Sequence, residues 1–449
     1  MARRVLLGLA VQQPAFTSNR PTHWADHAIF WHVYPLGFVG AERELRHEQP
    51  VVHRLEQLHG WLDYALELGC SALALGPIFA SQTHGYDTLD HFAIDPRLGD
   101  QRDFEQLVAA AHARGLKLLL DGVFNHVGRG FPRLRDAVAH GPSSAHASWF
   151  RKRGPGPEDF ETFEGHGSLV ALNHNEPQVA AYVTQVMSHW LARGADGFRL
   201  DAAYAVPSRF WQQVIPALKR EHPRAWFVGE MIHGDYVSYI RESGLDSVTQ
   251  YELWKAIWSA INDKNFFELA WSLERHQQFV DQFLPLTFVG NHDVTRIASR
   301  IKDERHLQHA LVALFTLPGV PSVYAGDEQA FRGVKEDRAG GDDAVRPRFP
   351  SQPSELLPYG WPVYRLHQRL IDLRRRHPWL QWSRVEVGTR TNEVLSYRCS
   401  GDGQVLVVTL NLSDQVVRLE RNGTVLLTSD PAVAEANVVA AHGFAITRH

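Results

Sequence analysis

The stretch Leu116-Lys-Leu-Leu-Leu-Asp-Gly-Val-Phe-Asn-His126 runs an almost unbroken apolar segment straight into a carboxylate. A strand with one wet face alternates apolar and polar residues. Consecutive apolar positions belong instead to a strand covered on both faces, as in a parallel sheet flanked by helices. Just before it, Gln106 to Arg114 has helical spacing and Gly115 stops it. The local unit is therefore helix, turn, buried strand, charge.

The same pattern recurs outward from this point. Upstream lie apolar runs at Ile29 to Tyr34 and Ala72 to Phe79, separated by a helix-like stretch from Val52 to Leu68. Downstream come helix Pro177 to Arg193 with Gly194 as its stop, strand Gly197 to Leu200, helix Phe210 to Lys219 and strand Ala225 to Val228. A weak strand follows at Ser247 to Tyr251, then Leu284 to Val289, Pro321 to Tyr324 and a last helix from Val363 to Arg376. Eight strand–helix units in series predict a closed α/β fold, a (β/α)8 or TIM barrel, rather than an open sheet. No glycine-rich phosphate loop follows the first strand.

Two segments break the pattern. Residues 127–175, rich in Gly, Pro, His and Ser, are too long for an ordinary connection and predict a small excursion domain after the third strand. Beyond Trp382, strands are expected at Glu393 to Arg398, Val405 to Leu412, Val416 to Leu419, Val425 to Thr428 and Val438 to Thr447, with a hairpin turn at Asn422-Gly423. They predict a C-terminal antiparallel β-sandwich. The expected division is barrel in residues 1–126 and 176–378, excursion in 127–175, and β domain in 379–449. Asn411-Leu-Ser and Asn422-Gly-Thr match the glycosylation sequon, a pattern short enough to recur by chance.

Composition narrows the function. The 449 residues carry 46 Lys+Arg against 50 Asp+Glu, a formal net charge of −4, which excludes a strongly basic nucleic-acid binder. Hydrophobic residues at 44% and charged residues at 21% are those of an ordinary globular chain with a large core. The apolar run Val5 to Val11 is too short to span a membrane, and as a secretory leader it lacks a clear cleavage site. Cys70 and Cys399, each among apolar neighbours, read as reduced, packed thiols. These features favour the cytoplasm. No pattern speaks to oligomeric state.

Catalytic groups of such a barrel project from the C-terminal ends of its strands. Four ends carry carboxylates: Asp121, Asp201, Glu230 in Gly229-Glu230, and Asp293 in Gly290-Asn-His-Asp293. Any one could cap a helix, but barrel closure brings them all to one rim. Carboxylates crowded in a partly dehydrated mouth split their pKa values, leaving one acid beside one ionised nucleophile. Arg199, two residues from Asp201 on the same strand face, favours ionised Asp201 as the nucleophile. Glu230, without a cation beside it in sequence, suits the general acid and base, and Asp293 is left to stabilise transition-state charge. This equipment suits glycoside hydrolysis with retention, whose two working carboxyls stand about 5–5.5 Å apart.

Taken together, Asp121-Gly-Val-Phe-Asn-His126, Gly197-Phe-Arg-Leu-Asp201, Gly229-Glu230 and Phe288-Val-Gly-Asn-His-Asp293 resemble the four motifs of the α-amylase family of glycoside hydrolases. His84-Gly-Tyr86-Asp87 and Pro318-Gly-Val-Pro-Ser-Val-Tyr-Ala-Gly-Asp-Glu328 also resemble the family. The resemblance implies Asp201 as nucleophile, Glu230 as acid and base, Asp293 as stabiliser and Asp121 as a structural residue. It further implies a sugar-binding shell of Tyr86, which would stack on the ring, with His126, Arg199 and His292, and with His84 and Asp87 as further candidates. The expected substrate is an α-glucoside or maltooligosaccharide. Transglycosylation, or sucrose or trehalose processing, remains the alternative on the same carboxylates.

Departures from the family bear on substrate. Ala202-Ala-Tyr-Ala205 stands where many starch-cleaving members carry a Lys-His pair, and Ala171 in Leu169-Val-Ala-Leu-Asn173 stands where an acidic residue is expected. Asn125 occupies a place that ligates calcium in many members, so calcium is left open, while no cofactor is required. A zinc hydrolase is disfavoured because Pro50 interrupts the segment between His47-Glu48 and His53. His140, His146, His166 and His174 read as surface or substrate-contact residues rather than metal ligands, His91, Trp254 and Trp258 as core, and Trp149, Phe150, Phe160 and Phe163 as candidates for a cleft wall.

Overall fold

The computed structural model describes residues 23–46, 48–338, 340–419, 423–432 and 437–449. Val5 to Val11, His47 and Asn422 lie outside these residues. Eight parallel strands carry the architecture: β1 (Phe30–Val33), β2 (Ala72–Leu75), β3 (Lys117–Gly122), β4 (Gly197–Leu200), β5 (Trp226–Gly229), β6 (Ser247–Val248), β7 (Leu286–Phe288) and β8 (Val320–Tyr324). They pair in the order β6-β5-β4-β3-β2-β1-β8-β7. Thr249 then bridges Leu286 in parallel, and the Gln250 N–H donates to the Leu286 carbonyl at 2.9 Å. That contact closes the sheet into a TIM barrel.

Alternation along the strands sorts side chains between two cores. Phe30, Ala72, Leu119, Trp226, Val228, Leu286 and Val320 meet one another although they come from strands all around the sheet, so they fill the barrel interior. Phe30 stacks on Trp226 with centroids 5.6 Å apart. Their neighbours Trp31, Leu73, Leu118 and Phe227 point outward into the larger core beneath the helices.

Several expected boundaries move for identifiable reasons. The helix expected from Gln106 begins at Gln101, because Asp100 and Asp103 form a reciprocal capping box. The stretch from Val52 to Leu68 is two short helices, Glu56–His59 and Leu62–Leu68. The sixth strand keeps only two residues, since the Gln250 side chain accepts from the Leu253 N–H and starts helix Tyr251–Asn262. After β3, His126–Gly128 pairs antiparallel with Leu169–Ala171 at the base of the excursion.

The C-terminal part is a five-stranded antiparallel sheet of β9 (Arg384–Arg390), β10 (Val394–Gly401), β11 (Gln404–Asn411), β12 (Thr424–Thr428) and β13 (Phe444–Arg448), in the order β9-β10-β11-β13-β12. A ribbon of Val417–Arg418 with Val438–Val439 lies on it, joined by Leu419, Val439, Ala445 and Val425. The single strand expected at Val438 to Thr447 is two, broken where His442 takes a left-handed φ of 55°. Asn411 is fully buried and donates to the Gln415 and Ala440 carbonyls at 2.7 and 2.9 Å, so its sequon offers no free amide in the fold. Cys70 and Cys399 are buried free thiols, the latter pushed up to about 12 by burial.

Candidate active site

Asp201 and Glu230 are placed by ladder bonds that continue past their strands. The Asp201 N–H donates to the Gly122 carbonyl at 3.0 Å, and the Glu230 N–H to that of Leu200 at 2.9 Å. Both side chains are buried. Directly after Asp201, Ala202 adopts a left-handed φ of 46°, a conformation that costs a residue with a Cβ about 1 kcal/mol or more. That turn aims the Ala202 N–H at Glu230 Oε2, 2.9 Å away.

Arg199 is the hub. Its Nη1 reaches both oxygens of Asp121 at 2.7 Å and Asp201 Oδ1 at 3.4 Å, while Nη2 reaches Glu230 Oε1 at 2.6 Å. The guanidinium thus lies nearer to Glu230 than to Asp201, which removes the charge argument for telling the two apart from sequence. Burial, then the charge of Glu230, holds Asp201 well above the usual carboxylate range, with Arg199 opposing. Asp121 is also raised by burial against the pull of Arg199.

Asp293 behaves oppositely. Burial raises it, but His292 and Arg346 more than reverse this and hold it well below the usual range. His292 Nε2 stands 3.0 Å from its Oδ2 and Arg346 Nη2 2.8 Å from its Oδ1. Its side chain keeps 30% of its surface exposed, the most open of the three.

These contacts close into a ring. Asp293 donates its N–H to Asn291 Oδ1 at 2.9 Å, and Asn291 Nδ2 donates to the Tyr251 hydroxyl at 2.8 Å. Tyr251 in turn donates to Glu230 Oε1 at 3.1 Å. On the other side His292 Nε2 meets the Tyr86 hydroxyl, which donates to Asp121 Oδ2 at 3.1 Å, and Asp121 returns to Arg199. Asp201, Glu230 and Asp293 therefore belong to one bonded circuit.

Sequence reading did not single out Arg346, Tyr251 or Asn291. Arg346 comes from the irregular segment after β8, where it pairs with Asp342 at 3.2 Å and lies 4.6 Å over the Tyr34 ring. Its one local signal is the spacing of Asp342 and Arg346. Tyr251 was hidden by its reading as a strand end.

The remaining candidates separate. Tyr86, His126 and His292 are buried, and among the described residues His126 Nε2 and His292 Nδ1 have no hydrogen-bond partner. Burial pushes His126 down to about 3, so it is a neutral ring. His84 is half-buried, lowered by burial, and accepts the Tyr86 N–H at Nδ1, 3.2 Å away. Asp87 uses its two oxygens on the Thr83 N–H and hydroxyl, at 3.0 and 2.6 Å, and locks that turn. Of the cleft-wall aromatics, Trp149, Phe150 and Phe160 are buried core of the excursion. Phe163 is half-buried and stacks on His126 at 4.8 Å. His174 is also buried, not at the surface, and its Nε2 bonds the Phe124 carbonyl at 3.0 Å.

Asn125 Oδ1 is buried without a partner among the described residues, and its Nδ2 lies 3.0 Å from His126 Nδ1.

The family description "Alpha amylase, catalytic domain" matches residues 54–351. A cyclomaltodextrinase of Bacillus sp is 27% identical over 422 residues, covering 87% of this chain and 74% of that one. An intracellular maltogenic amylase of Bacillus subtilis is 28% identical over 336 residues, covering 70% and 57%. The cyclic α-maltosyl-(1→6)-maltose hydrolase of Arthrobacter globiformis superposes with a TM-score of 0.80 over 95% of this chain and 100% of that one, at 24% identity, a likeness of fold. Among the described residues no helix is long and apolar enough to cross a membrane. The chain belongs to the α-amylase family of glycoside hydrolases.

Proposed function

We propose that the enzyme cleaves α-glucosidic bonds in linear and cyclic maltooligosaccharides, with retention, through a glycosyl ester on Asp201. The observation that carries this reading is that one guanidinium, Arg199, reaches both Asp201 and Glu230. Such sharing supports the short separation of retaining enzymes over the wider gap that inverting ones need for a water. The names of the relatives, cyclomaltodextrinase and intracellular maltogenic amylase, support the substrate class and a place in the cytoplasm.

Burial and the charge of Glu230 raise Asp201, and Arg199, which touches both carboxyls, opposes this. Chemistry begins with Glu230 as the acid against the glycosidic oxygen. Asp201 attacks the anomeric carbon, the carbon–oxygen bond breaks, and Glu230 gives its proton to the departing oxygen. Glu230 then takes a proton from water, whose oxygen displaces Asp201 from the sugar. Asp293, held ionised by His292 and Arg346, faces the positive charge that builds on the ring. His126 Nε2 and His292 Nδ1, without partners among the described residues, supply polar groups for sugar hydroxyls.

Asp201→Asn and Glu230→Gln should each lower kcat on maltotriose and β-cyclodextrin by more than about 10³. The first sugar released, followed by NMR, should be the α anomer. Activity within about tenfold of the parent in either variant removes that residue from its role, and a β product excludes retention.

A further inference from the structure

A second group of ionisable side chains lies where the C-terminal domain meets the barrel helix Leu307–Thr316. Asp303, His306 and His442 each present one ligating atom there, all within 4.8 Å of one another. His306 Nε2 and His442 Nδ1 face each other at 3.0 Å. The far nitrogen of His442 is 2.7 Å from Asp414 Oδ1, the carboxylate support that fixes the tautomer of a metal-bound imidazole. The backbone of His442 is pinned as well. Its N–H donates to the Ser413 carbonyl at 3.1 Å, and its carbonyl accepts from Gln308 Nε2 at 2.8 Å. His306 is buried, so the cluster is rooted in both domains.

The other cluster, His53 with Asp100 and Asp103, has a structural use already. Its carboxylates form the capping box of helix Gln101–Ala113, in which Asp103 Oδ2 accepts the Asp100 N–H at 2.7 Å. In the first cluster Asp303 Oδ1 accepts the Arg305 N–H at 3.1 Å as a single cap, which leaves Oδ2 only in an ion pair with Arg305 at 2.6 Å, exposed and of the kind that yields readily. Nearby Lys264 is balanced by Glu393 at 2.7 Å.

We propose that Asp303, His306 and His442 bind one divalent transition-metal ion of the zinc class, which fastens the C-terminal domain to the barrel. Two imidazoles select such an ion over calcium or magnesium, and three protein ligands leave a position for water.

The test uses full-length enzyme stripped with chelator and titrated with zinc chloride, followed by calorimetry, elemental analysis and thermal melting. One zinc per chain should bind, raising Tm by about 2 °C or more at a large excess over Kd. Binding should weaken at least about tenfold in both Asp303→Asn and His442→Asn. Asparagine tolerates the positive φ at position 442, so that variant preserves the turn. Maltotriose hydrolysis by the zinc-free variants should match the parent. Zinc binding that is absent, or that survives within about tenfold in either variant, overturns the site and leaves a hydrogen-bonded join.

Discussion

Asp201 is buried beside Glu230, and its nearest cation is shared with Asp121 and Glu230. Its carboxyl is raised, so the folded chain holds that proton more tightly than the unfolded chain does. Stability from this group is then fully present below the ordinary carboxylate range and declines as pH rises through the folded pKa. Wherever this carboxyl is ionised its burial opposes folding, and Asp201→Asn should raise Tm by about 1–4 °C while removing turnover. A lower Tm in that variant would mean that Arg199, left with one fewer carboxylate, dominates. At this scale the sequence was legible where a charge terminates an apolar run, as at Asp201, Glu230 and Asp293. It was illegible at Arg346, whose segment has no period to read, and at Tyr251, where a side-chain cap turned a strand into a helix.

The segment after β4 shows how an element shapes specificity. Tyr204, in the tetrapeptide that departs from starch-cleaving relatives, donates its N–H to the Glu230 carbonyl at 3.2 Å and its hydroxyl to Glu164 Oε1 at 2.7 Å. Its ring lies 5.2 Å from His233 and 6.3 Å from Phe163. The excursion is thus tied to the loop that carries the proposed nucleophile. Tyr204→Phe cuts the tie and leaves the ring, so KM for maltotriose should rise about 3–10-fold with kcat within about threefold. An unchanged KM would show that the tie is only structural. Periodicity located this loop, whereas its partner Glu164 lies in a stretch whose left-handed backbone, φ 49°, no pattern announces.

Across the whole molecule, buried histidines set the response to acid. Burial lowers His91, His174, His276, His309 and His367 to about 4 and His126 to about 3. A lowered histidine gives stability that is present above its unfolded pKa of about 6.5 and is lost as pH falls toward the folded value. Asp327 and Glu328, raised by burial to about 6 and 7, work in the opposite sense, but the histidines outnumber them. Tm should therefore fall steeply between about pH 6.5 and 4, and a flat profile over that range would contradict the burial of these rings. The barrel as a whole was readable because most of its buried strands, the short sixth excepted, announce themselves as apolar runs. The excursion and C-terminal edges were less so, since half-buried strands there are broken by turns such as that at His442.

The barrel is sealed at one narrow place. Between β6 and β7 the join consists of the Gln250–Leu286 backbone bond and the Ser247 hydroxyl on the Leu284 carbonyl, against three or more registered pairs at most other strand boundaries. Glu230 lies on one side of that seam and Asp293 on the other. Breathing of the cylinder will start there, with the Gln250 amide among the first barrel amides to exchange with deuterium. On gentle heating the enzyme should therefore fall silent before it melts, because a gap at the seam parts the acid from its electrostatic partner while the other staves still hold.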